Sequence, residues 1–245
     1  MLLHSTDPDP ILRGGGPDGA GMLLSCEHAG TTIPRQLGNL GLAREDLLDH
    51  IGWDPGALEV TRALSEKLGA TYVAQRYSRL VIDCNRPRNA PDLVPDRSDT
   101  RTVPGNAGLT DPDVTARWDE IHQPFHATLA AMVPGRSALV SVHSFTPHRR
   151  GDAAPRRVEI GILARDDNPL FRHLMQRLPE LVDGPVDANT PYDIDDASDY
   201  TIPVHAEANG VPHALVEIRN DLIADASGVA RICTALATAL KEFTR

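Results

Sequence analysis

Histidine and carboxylate side chains follow short apolar runs of this sequence, at points where strands would end. The run Met22–Leu24 is followed by Ser25, Cys26, Glu27 and His28, and His143 follows a second run. Glu217 lies inside a third apolar stretch, ALVEIR. In open α/β sheets, ligands bind in the crevice outside the carboxyl ends of the strands. We therefore expect these side chains to meet in one site.

The residue types in this set are those of a hydrolytic zinc site. Such a site uses three protein ligands, here two histidines and a carboxylate, and leaves the fourth position to water. The metal lowers the pKa of that water and polarises a carbonyl, while a second carboxylate transfers the proton. Arginines at the rim would hold a substrate carboxylate through two parallel hydrogen bonds. The candidate groups at strand or helix ends are Glu27, His28, Asp54, Asp83, Asn85, Arg86, His143, Glu217 and Arg219.

Some of these residues also have ordinary structural interpretations. The stretch around Glu27 and His28 could form a buried polar turn, and a single histidine is more often a hydrogen-bonded residue than a ligand. Asp54 precedes Pro55, a pair typical of a helix N-terminus, and capping does not exclude metal binding. His122 and His126 are four residues apart, but Pro124 lies between them and no H-E-x-x-H motif is present, so we do not favour them as joint ligands.

The spacing of apolar residues predicts the elements that carry these groups. Strands are expected at residues 22–24, 71–74, 80–84, 138–142, 158–164, 186–189 and 214–219, and helices at 44–50, 55–68, 110–132, 169–178 and 226–243. A short helix or turn is expected at 205–210. Loops are expected at 87–109, which is long enough to be functional or disordered, at 146–156, a candidate lid, and at 190–200, which is acidic. Alternating strands and helices indicate an α/β fold with a mainly parallel sheet between helical layers.

The last predicted strand shows a clear two-residue period. Ala214, Val216 and Ile218 fall on one face, and Glu217 falls on the other, with Leu215 and Arg219. An internal strand rarely carries a glutamate without a partner or a task, so Glu217 is a strong candidate for function.

Length and composition narrow the class of protein. The 245 residues suit one sizeable domain, predicted at 22–245 after a flexible arm at 1–21 that is rich in Asp-Pro and glycine. The formal net charge of −10 argues against a nucleic-acid surface. No apolar run reaches the roughly 18 residues of a membrane span, and we expect no signal peptide. Three widely spaced cysteines fit a reducing cytoplasm and exclude a thiolate zinc cage.

Several stretches between about residues 22 and 240 occur in the order typical of one enzyme family: SCEHAGTTIP, GWDPGA, YSRLVIDCNRP, Pro-Phe-His of the long helix, LVSVHSFTP, VEIGIL, NTPYD and ALVEIRNDLI. In them the sequence resembles the N-formylglutamate amidohydrolases, which convert N-formyl-glutamate to formate and glutamate. The resemblance implies a three-layer α/β/α fold with a mixed, mainly parallel sheet, similar to the phosphorylase/hydrolase-like fold of zinc carboxypeptidases. It also implies Zn²⁺ or another divalent metal.

The resemblance implies roles for individual residues. His28 and His143 would bind the metal, Glu217 would be the general base, and Asp54 would be the carboxylate ligand, with Glu27 as its alternative. The pocket would contain Arg79, Asn85, Arg86 and Arg219, and Asp83 and His126 are further candidates.

Two positions depart from the family pattern. Cys26-Glu27 stands where the enzymes of histidine degradation look more like a proline before the histidine, and Thr31 stands where zinc carboxypeptidases place a ligand glutamate. The carboxylate ligand and the N-acyl group therefore stay open at this stage.

The resulting hypothesis is a cytoplasmic, metal-dependent amidohydrolase of amino-acid degradation that acts on a small anionic N-acyl amino acid. It needs no nucleic acid or membrane partner, and the sequence does not address its oligomeric state. The alternatives are a deacylase or carboxypeptidase-like hydrolase with another acyl group, and a non-catalytic protein of this fold that binds a small anion.

Overall fold

One mixed sheet of seven strands forms the centre of the protein in the computed structural model, which describes residues 1–16 and 21–244. The spatial order of the strands is β1-β3-β2-β6-β9-β7-β8. Their bounds are β1 Ile11–Gly15, β2 Leu23–Cys26, β3 Thr71–Gln75, β6 Leu139–Phe145, β7 Ile160–Leu163, β8 Val186–Ala188 and β9 His213–Arg219. A separate hairpin contains β4 Arg97–Ser98 and β5 Arg101–Thr102.

The four central strands are parallel, which places their carboxyl ends at one edge of the sheet. β3, β2, β6 and β9 run in one direction, whereas β1 and β7 pair antiparallel with β3 and β9. In the register of β6 with β9, His143 lies directly beside Glu217. The predicted convergence of these two residues therefore follows from ordinary strand pairing.

Helices cover both faces of the sheet. Their bounds are α1 Arg44–Leu47, α2 Ala57–Leu68, α3 Asp111–Arg117, α4 Gln123–Met132, α5 Pro169–Arg177 and α6 Ala226–Phe243, with a π-helical turn at Trp118–His122 between α3 and α4. Residues of α2, α5 and α6 share one core with Val140 and Val216, and residues of α4 share the other with Leu139 and Leu215. The predicted three-layer α/β/α fold and the two faces of β9 are confirmed.

Local sequence signals explain several helix ends. Asn168 caps α5 by accepting a hydrogen bond from Phe171 N at 3.1 Å, and Asp225 caps α6 through Gly228 N at 2.8 Å. Gly69 ends α2 with a φ of 63°, a conformation that glycine adopts without strain.

The strand predicted at residues 80–84 is wrong, because this segment forms turns outside the sheet. Its backbone is satisfied by side chains instead. Asn106 Nδ2 donates to Leu80 O at 2.8 Å, and the buried Arg117 donates to Val81 O at 2.9 Å. An apolar run of this length can be buried in a loop when side chains replace the ladder hydrogen bonds.

The flexible arm predicted for residues 1–21 is wrong for residues 11–15, which form β1 at the edge of the sheet. The residues before β1 are also held, since Leu2 is buried and its amide donates to Glu120 Oε1 at 2.6 Å. Residues 17–20 of the predicted arm lie outside the described residues.

Two further sequence expectations concern cysteines and membranes. Cys26, Cys84 and Cys233 are all buried and unpaired. Within residues 1–16 and 21–244, none of the helices has both the length and the apolar character needed to cross a bilayer.

Candidate active site

A polar cavity of about 510 Å³ opens at the carboxyl ends of the central strands. Most of the site residues predicted from the sequence line it. They are His28, Asp54, Arg79, Asp83, Asn85, Arg86, His143 and Glu217. Parallel strand ends therefore bring together groups that are up to 189 positions apart in the chain, from His28 to Glu217.

Three buried side chains at the base of the cavity have the spacing of a metal site. Asp54 Oδ2 lies 2.9 Å from His143 Nδ1 and 3.3 Å from His28 Nδ1. One donor atom from each of the three lies within 4.8 Å of the others. In a tetrahedral zinc site with bonds of about 2.0–2.1 Å, neighbouring ligand atoms lie about 3.3 Å apart. The three residues therefore fit a divalent cation.

Carboxylates behind the two histidines orient their rings. His28 Nε2 donates to Asp83 Oδ1 at 2.7 Å, and His143 Nε2 lies 3.0 Å from Glu27 Oε2. Asp83 and Glu27 therefore hold the Nε2 edges of the two rings and turn their Nδ1 edges toward Asp54. This is the arrangement that carboxylate–histidine–metal triads require.

Asp54 lies outside α2, because the helix begins two residues later than the sequence predicts. The predicted capping role is wrong: α2 begins at Ala57, and Gly56 occupies the N-cap position with a φ of 82°. A Cβ atom at Gly56 would lie 2.8 Å from Ile223, so this turn needs glycine. The Asp54 carboxylate is thus free to face the histidines, and Ser144 N donates to its Oδ2 at 3.2 Å.

The charges in this cluster shift its pKa values in opposite directions. Burial acts to raise the pKa of Glu27, but the hydrogen bond and charge of His143 outweigh it and lower the pKa to about 2. Burial likewise opposes ionisation of Asp54, yet the two histidines hold its pKa below the usual range. For His143, burial lowers the pKa but Asp54 and Glu27 raise it well above its ordinary value.

Glu217 differs from the other carboxylates of the site. It lines the cavity but is 7% exposed, and its Oε2 atom has no hydrogen-bond partner among the described residues. Burial raises its pKa to about 7, and the Asp54 charge adds to the effect against opposing contributions from His143 and His28. An acid with a pKa near neutrality can both accept and return a proton.

Arg79 and Arg86 supply positive charge to the cavity wall. Arg79 donates to Asp83 Oδ2 at 2.6 Å and lies 3.4 Å from Asp54 Oδ1. Arg86 donates to Asp92 Oδ2 at 2.8 Å and to the carbonyl of Ser198. A guanidinium has five donor hydrogens, so each arginine keeps donors beyond these contacts.

Asn85 lines the cavity and also connects two loops, and its predicted role in substrate binding stays a prediction. Its Oδ1 accepts from the amides of Tyr200 and Thr201 at 3.2 and 3.1 Å, and its Nδ2 donates to Asp199 at 2.9 Å. The side chain therefore connects the 83–86 turn to the loop that ends at residue 201.

The structure does not bring three other candidates to the cavity lining. Arg219 is held by Glu159 and Asp221, at 3.3 and 2.8 Å. His126 donates to the carbonyl of Cys84, and Glu27 lies behind His143, where Ser141 Oγ donates to it at 2.8 Å. The two-residue period predicted that Glu217 and Arg219 share one face of β9. Glu217 does line the cavity, whereas Arg219, the last residue of the strand, pairs with Glu159 and Asp221.

The loops contribute cavity residues that the sequence reasoning did not name. The predicted loops at 87–109, 146–156 and 190–200 all contribute residues to the cavity, but no periodicity identifies individual residues in a loop. Closure of the 146–156 segment as a lid stays a prediction. The unnamed lining residues with polar side chains include His50, Asp92, Arg97, Asp99, Arg149, Tyr192, Asp193, Asp195 and Asp199.

Comparisons with known proteins identify the family and the fold of this chain. A family model described as N-formylglutamate amidohydrolase matches residues 20–224. The solved structure of gene product Atu2144 from Agrobacterium tumefaciens is 37% identical with a TM-score of 0.93, over 100% of this chain and 98% of that one. N-formylglutamate amidohydrolase from Ralstonia eutropha JMP134 is 20% identical with a TM-score of 0.74, over 97% and 98%.

A bacteriophage poly-gamma-glutamate hydrolase is similar in fold alone, at 12% identity and a TM-score of 0.51, over 98% of this chain and 92% of that one. No curated protein matches the chain.

Proposed function

Since the chain belongs to the N-formylglutamate amidohydrolase family, we propose that it is a metal-dependent enzyme that hydrolyses the amide of a small N-acyl amino acid. N-formyl-glutamate is the leading substrate, with formate and glutamate as products. One observation carries the proposal: the donor atoms of His28, Asp54 and His143 converge beside the buried carboxylate of Glu217 in one cavity.

His28, Asp54 and His143 would hold a zinc ion or another divalent metal. When bound, the metal would supply a water of lowered pKa and would polarise the carbonyl of the substrate amide. Asp83 and Glu27 would keep the two imidazoles in the orientation that presents Nδ1, through their contacts with the Nε2 atoms at 2.7 and 3.0 Å. Glu27 would therefore support a ligand rather than act as one.

Glu217 would take a proton from the attacking water and return it to the leaving nitrogen. Its position beside His143 in the sheet register supports this role, as does its free Oε2 atom. Its pKa of about 7, raised chiefly by burial, is close to the value at which one carboxyl group performs both steps near neutral pH.

Arg79 and Arg86 would bind the carboxylate of the substrate. Both line the cavity, and both are anchored by aspartates on one side, which limits the freedom lost when the substrate binds. A guanidinium held in this way can offer a carboxylate two parallel hydrogen bonds.

An acyl group larger than formyl is a second possibility that the cavity volume favours. Pockets of roughly 300–1,000 Å³ accommodate drug-sized ligands, and the cavity of about 510 Å³ falls in this range. A purely anion-binding protein is less compatible with Glu217, because burying an acid without a hydrogen-bond partner is costly unless the group has a task.

The test is a substrate panel combined with metal analysis. The purified protein is assayed for amino-acid release from N-formyl-glutamate, N-formyl-aspartate, N-formyl-glutamine and N-acetyl-glutamate, before and after chelation and after the return of Zn²⁺. We expect cleavage of N-formyl-glutamate that chelation removes and zinc restores. Preferred cleavage of N-acetyl-glutamate would identify acetyl, rather than formyl, as the acyl group that is removed. Activity without any divalent metal would reject the metal-dependent mechanism.

A further inference from the structure

Three buried histidines lie outside the cavity lining and outside the candidate metal site. His122 ends the π-helical turn, His126 lies on α4, and His205 lies in a second π-helical turn, Ile202–Ala206. Their exposed fractions are 0%, 6% and 4%. We refer to His122, His126 and His205 as the histidine cluster.

The hydrogen bonds of the histidine cluster have a defined direction. His126 Nε2 lies 2.6 Å from Cys84 O, and His122 Nε2 lies 3.0 Å from Arg86 O. A carbonyl oxygen only accepts, so both rings donate from Nε2. His126 Nδ1 is then an acceptor, and it receives a hydrogen bond from His205 Nε2 at 2.9 Å. His205 thus donates to His126, which donates to the backbone.

This direction requires that the His126 ring be neutral. Burial lowers the pKa of His122 and of His205 to about 4, and burial together with the two neighbouring histidines lowers the pKa of His126 well below its ordinary value. A proton on His126 Nδ1 would face the hydrogen of His205 Nε2. A neutral His126 therefore accepts from His205 and keeps its own donor hydrogen on Cys84 O.

The two carbonyls belong to the 83–86 turn, which forms part of the cavity wall. They flank Asn85, and this turn also contains Asp83, which contacts His28, and Arg86, which lines the cavity. The turn has no partner strand, since the segment that leads into it is not part of the sheet. The histidine cluster supplies backbone hydrogen bonds that a neighbouring strand would otherwise provide.

We propose that His122 and His126, supported by His205, are positioning residues that hold the 83–86 turn in the conformation in which Arg86 binds the substrate carboxylate. The inference rests on the proposed function in one respect, the role of Arg86. Because the cluster touches neither the candidate metal ligands nor Glu217 in any hydrogen bond of the described residues, its loss should affect substrate affinity and leave the chemical step nearly intact.

The experiment compares two substitutions at each position. His126→Phe and His122→Phe keep a planar ring but remove the donor, whereas His126→Gln and His122→Gln keep an amide donor near the position of Nε2. We expect each phenylalanine variant to raise KM for N-formyl-L-glutamate roughly tenfold, the ratio that one ordinary hydrogen bond accounts for. We expect kcat to change less than about threefold, and glutamine to restore most of the affinity.

His173 on α5 offers a matched control, because its Nε2 lies 2.7 Å from the backbone carbonyl of Ala239 on α6. His173→Phe should lower the melting temperature without changing KM. Unchanged KM in both His122→Phe and His126→Phe, or a change equal to that of His173→Phe, would overturn the inference.

A calorimetric measurement separates this inference from the proposed function. Binding of L-glutamate to the wild type and to His126→Phe is measured with the metal in place. A wild type that binds L-glutamate but cleaves no member of the substrate panel would reject the proposed function alone, and a roughly tenfold weaker affinity in the variant would still support the positioning role. Equal affinities, or no binding to the wild type, would reject the positioning role.

Discussion

The two sides of the cavity are built in different ways. On one side, His143 and Glu217 are neighbours in the register of β6 with β9, and His28 lies two residues beyond the end of β2. On the other side, the 83–86 turn and the loop up to residue 201 have no ladder and are joined by Asn85 to the amides of Tyr200 and Thr201. We call the first side the strand side and the second the loop side.

Strands and loops suit two different tasks in a site, catalysis and substrate recognition. Ladder hydrogen bonds fix backbone positions precisely, which suits groups that share a metal and a proton. Loops accept changes in length and sequence more readily, which suits the recognition of a particular substrate. We therefore expect substitutions on the strand side to affect metal content and kcat, and substitutions on the loop side to affect KM.

The largest effect is expected at His143 on the strand side. His143→Ala removes one of three candidate ligands, so bound metal should fall and activity should be lost. Elemental analysis and the formate assay measure both quantities, with His173→Ala as a control that removes a histidine far from the cavity. Full metal content in active His143→Ala would show that the strand side does not contain the metal site.

The next effect separates a ligand from a base. Glu217→Gln keeps the shape of the side chain but cannot accept a proton, so kcat should fall by about 10²–10⁴-fold with metal content and melting temperature near wild type. Zinc stoichiometry, thermal unfolding and kcat are measured on the same sample. Lost metal would make Glu217 a ligand, and full activity with a lowered melting temperature would make it a structural residue.

A smaller effect is expected at Arg86 on the loop side. Arg86→Ala should mainly raise KM for N-formyl-glutamate, by a factor equivalent to roughly 1.5–3 kcal/mol for a charged hydrogen bond. Arg219→Ala is the matched control, because Arg219 pairs with Glu159 and Asp221 away from the cavity lining. If Arg219→Ala raises KM as much as Arg86→Ala, the division into strand and loop sides fails.

The smallest effect concerns acid stability. Burial lowers the pKa of His122 to about 4, below the ordinary value of 6.5, so between these pH values the unfolded chain binds a proton that the folded chain does not. Stability should therefore fall as the pH falls, and His122→Gln should lose about 1 kcal/mol less than wild type between pH 7 and pH 5.5. Urea unfolding at both pH values measures this, and an equal loss would contradict it.

The strand side could be predicted from the sequence, whereas much of the loop side could not. Apolar runs end just before His28 and His143, and the two-residue period placed Glu217 on the correct face. The same reasoning failed for residues 80–84, because the buried Arg117 and Asn106 replace a partner strand there. It also did not show that Asn85 binds the amides of Tyr200 and Thr201, since a sequence does not reveal which distant amides a side chain will contact.

Asp54 shows a further limit of local signals. An aspartate before proline typically starts a helix, but this carboxylate instead contacts two histidines that are distant in sequence. His126 lies in a motif of the family resemblance. The sequence does not show its contact with Cys84 O, because that contact depends on how the 83–86 turn packs against α4.

The antiparallel pairing of β1 with β3 has a consequence for self-association. β1 covers one edge of the sheet, and Pro10 O accepts from Arg76 N at 2.8 Å just beyond it. Loss of β1 would make β3, most of whose residues are buried, the new edge strand, with its amides and carbonyls open to another copy. Exposed strand edges promote aggregation, so we expect a chain that lacks β1 to self-associate more readily.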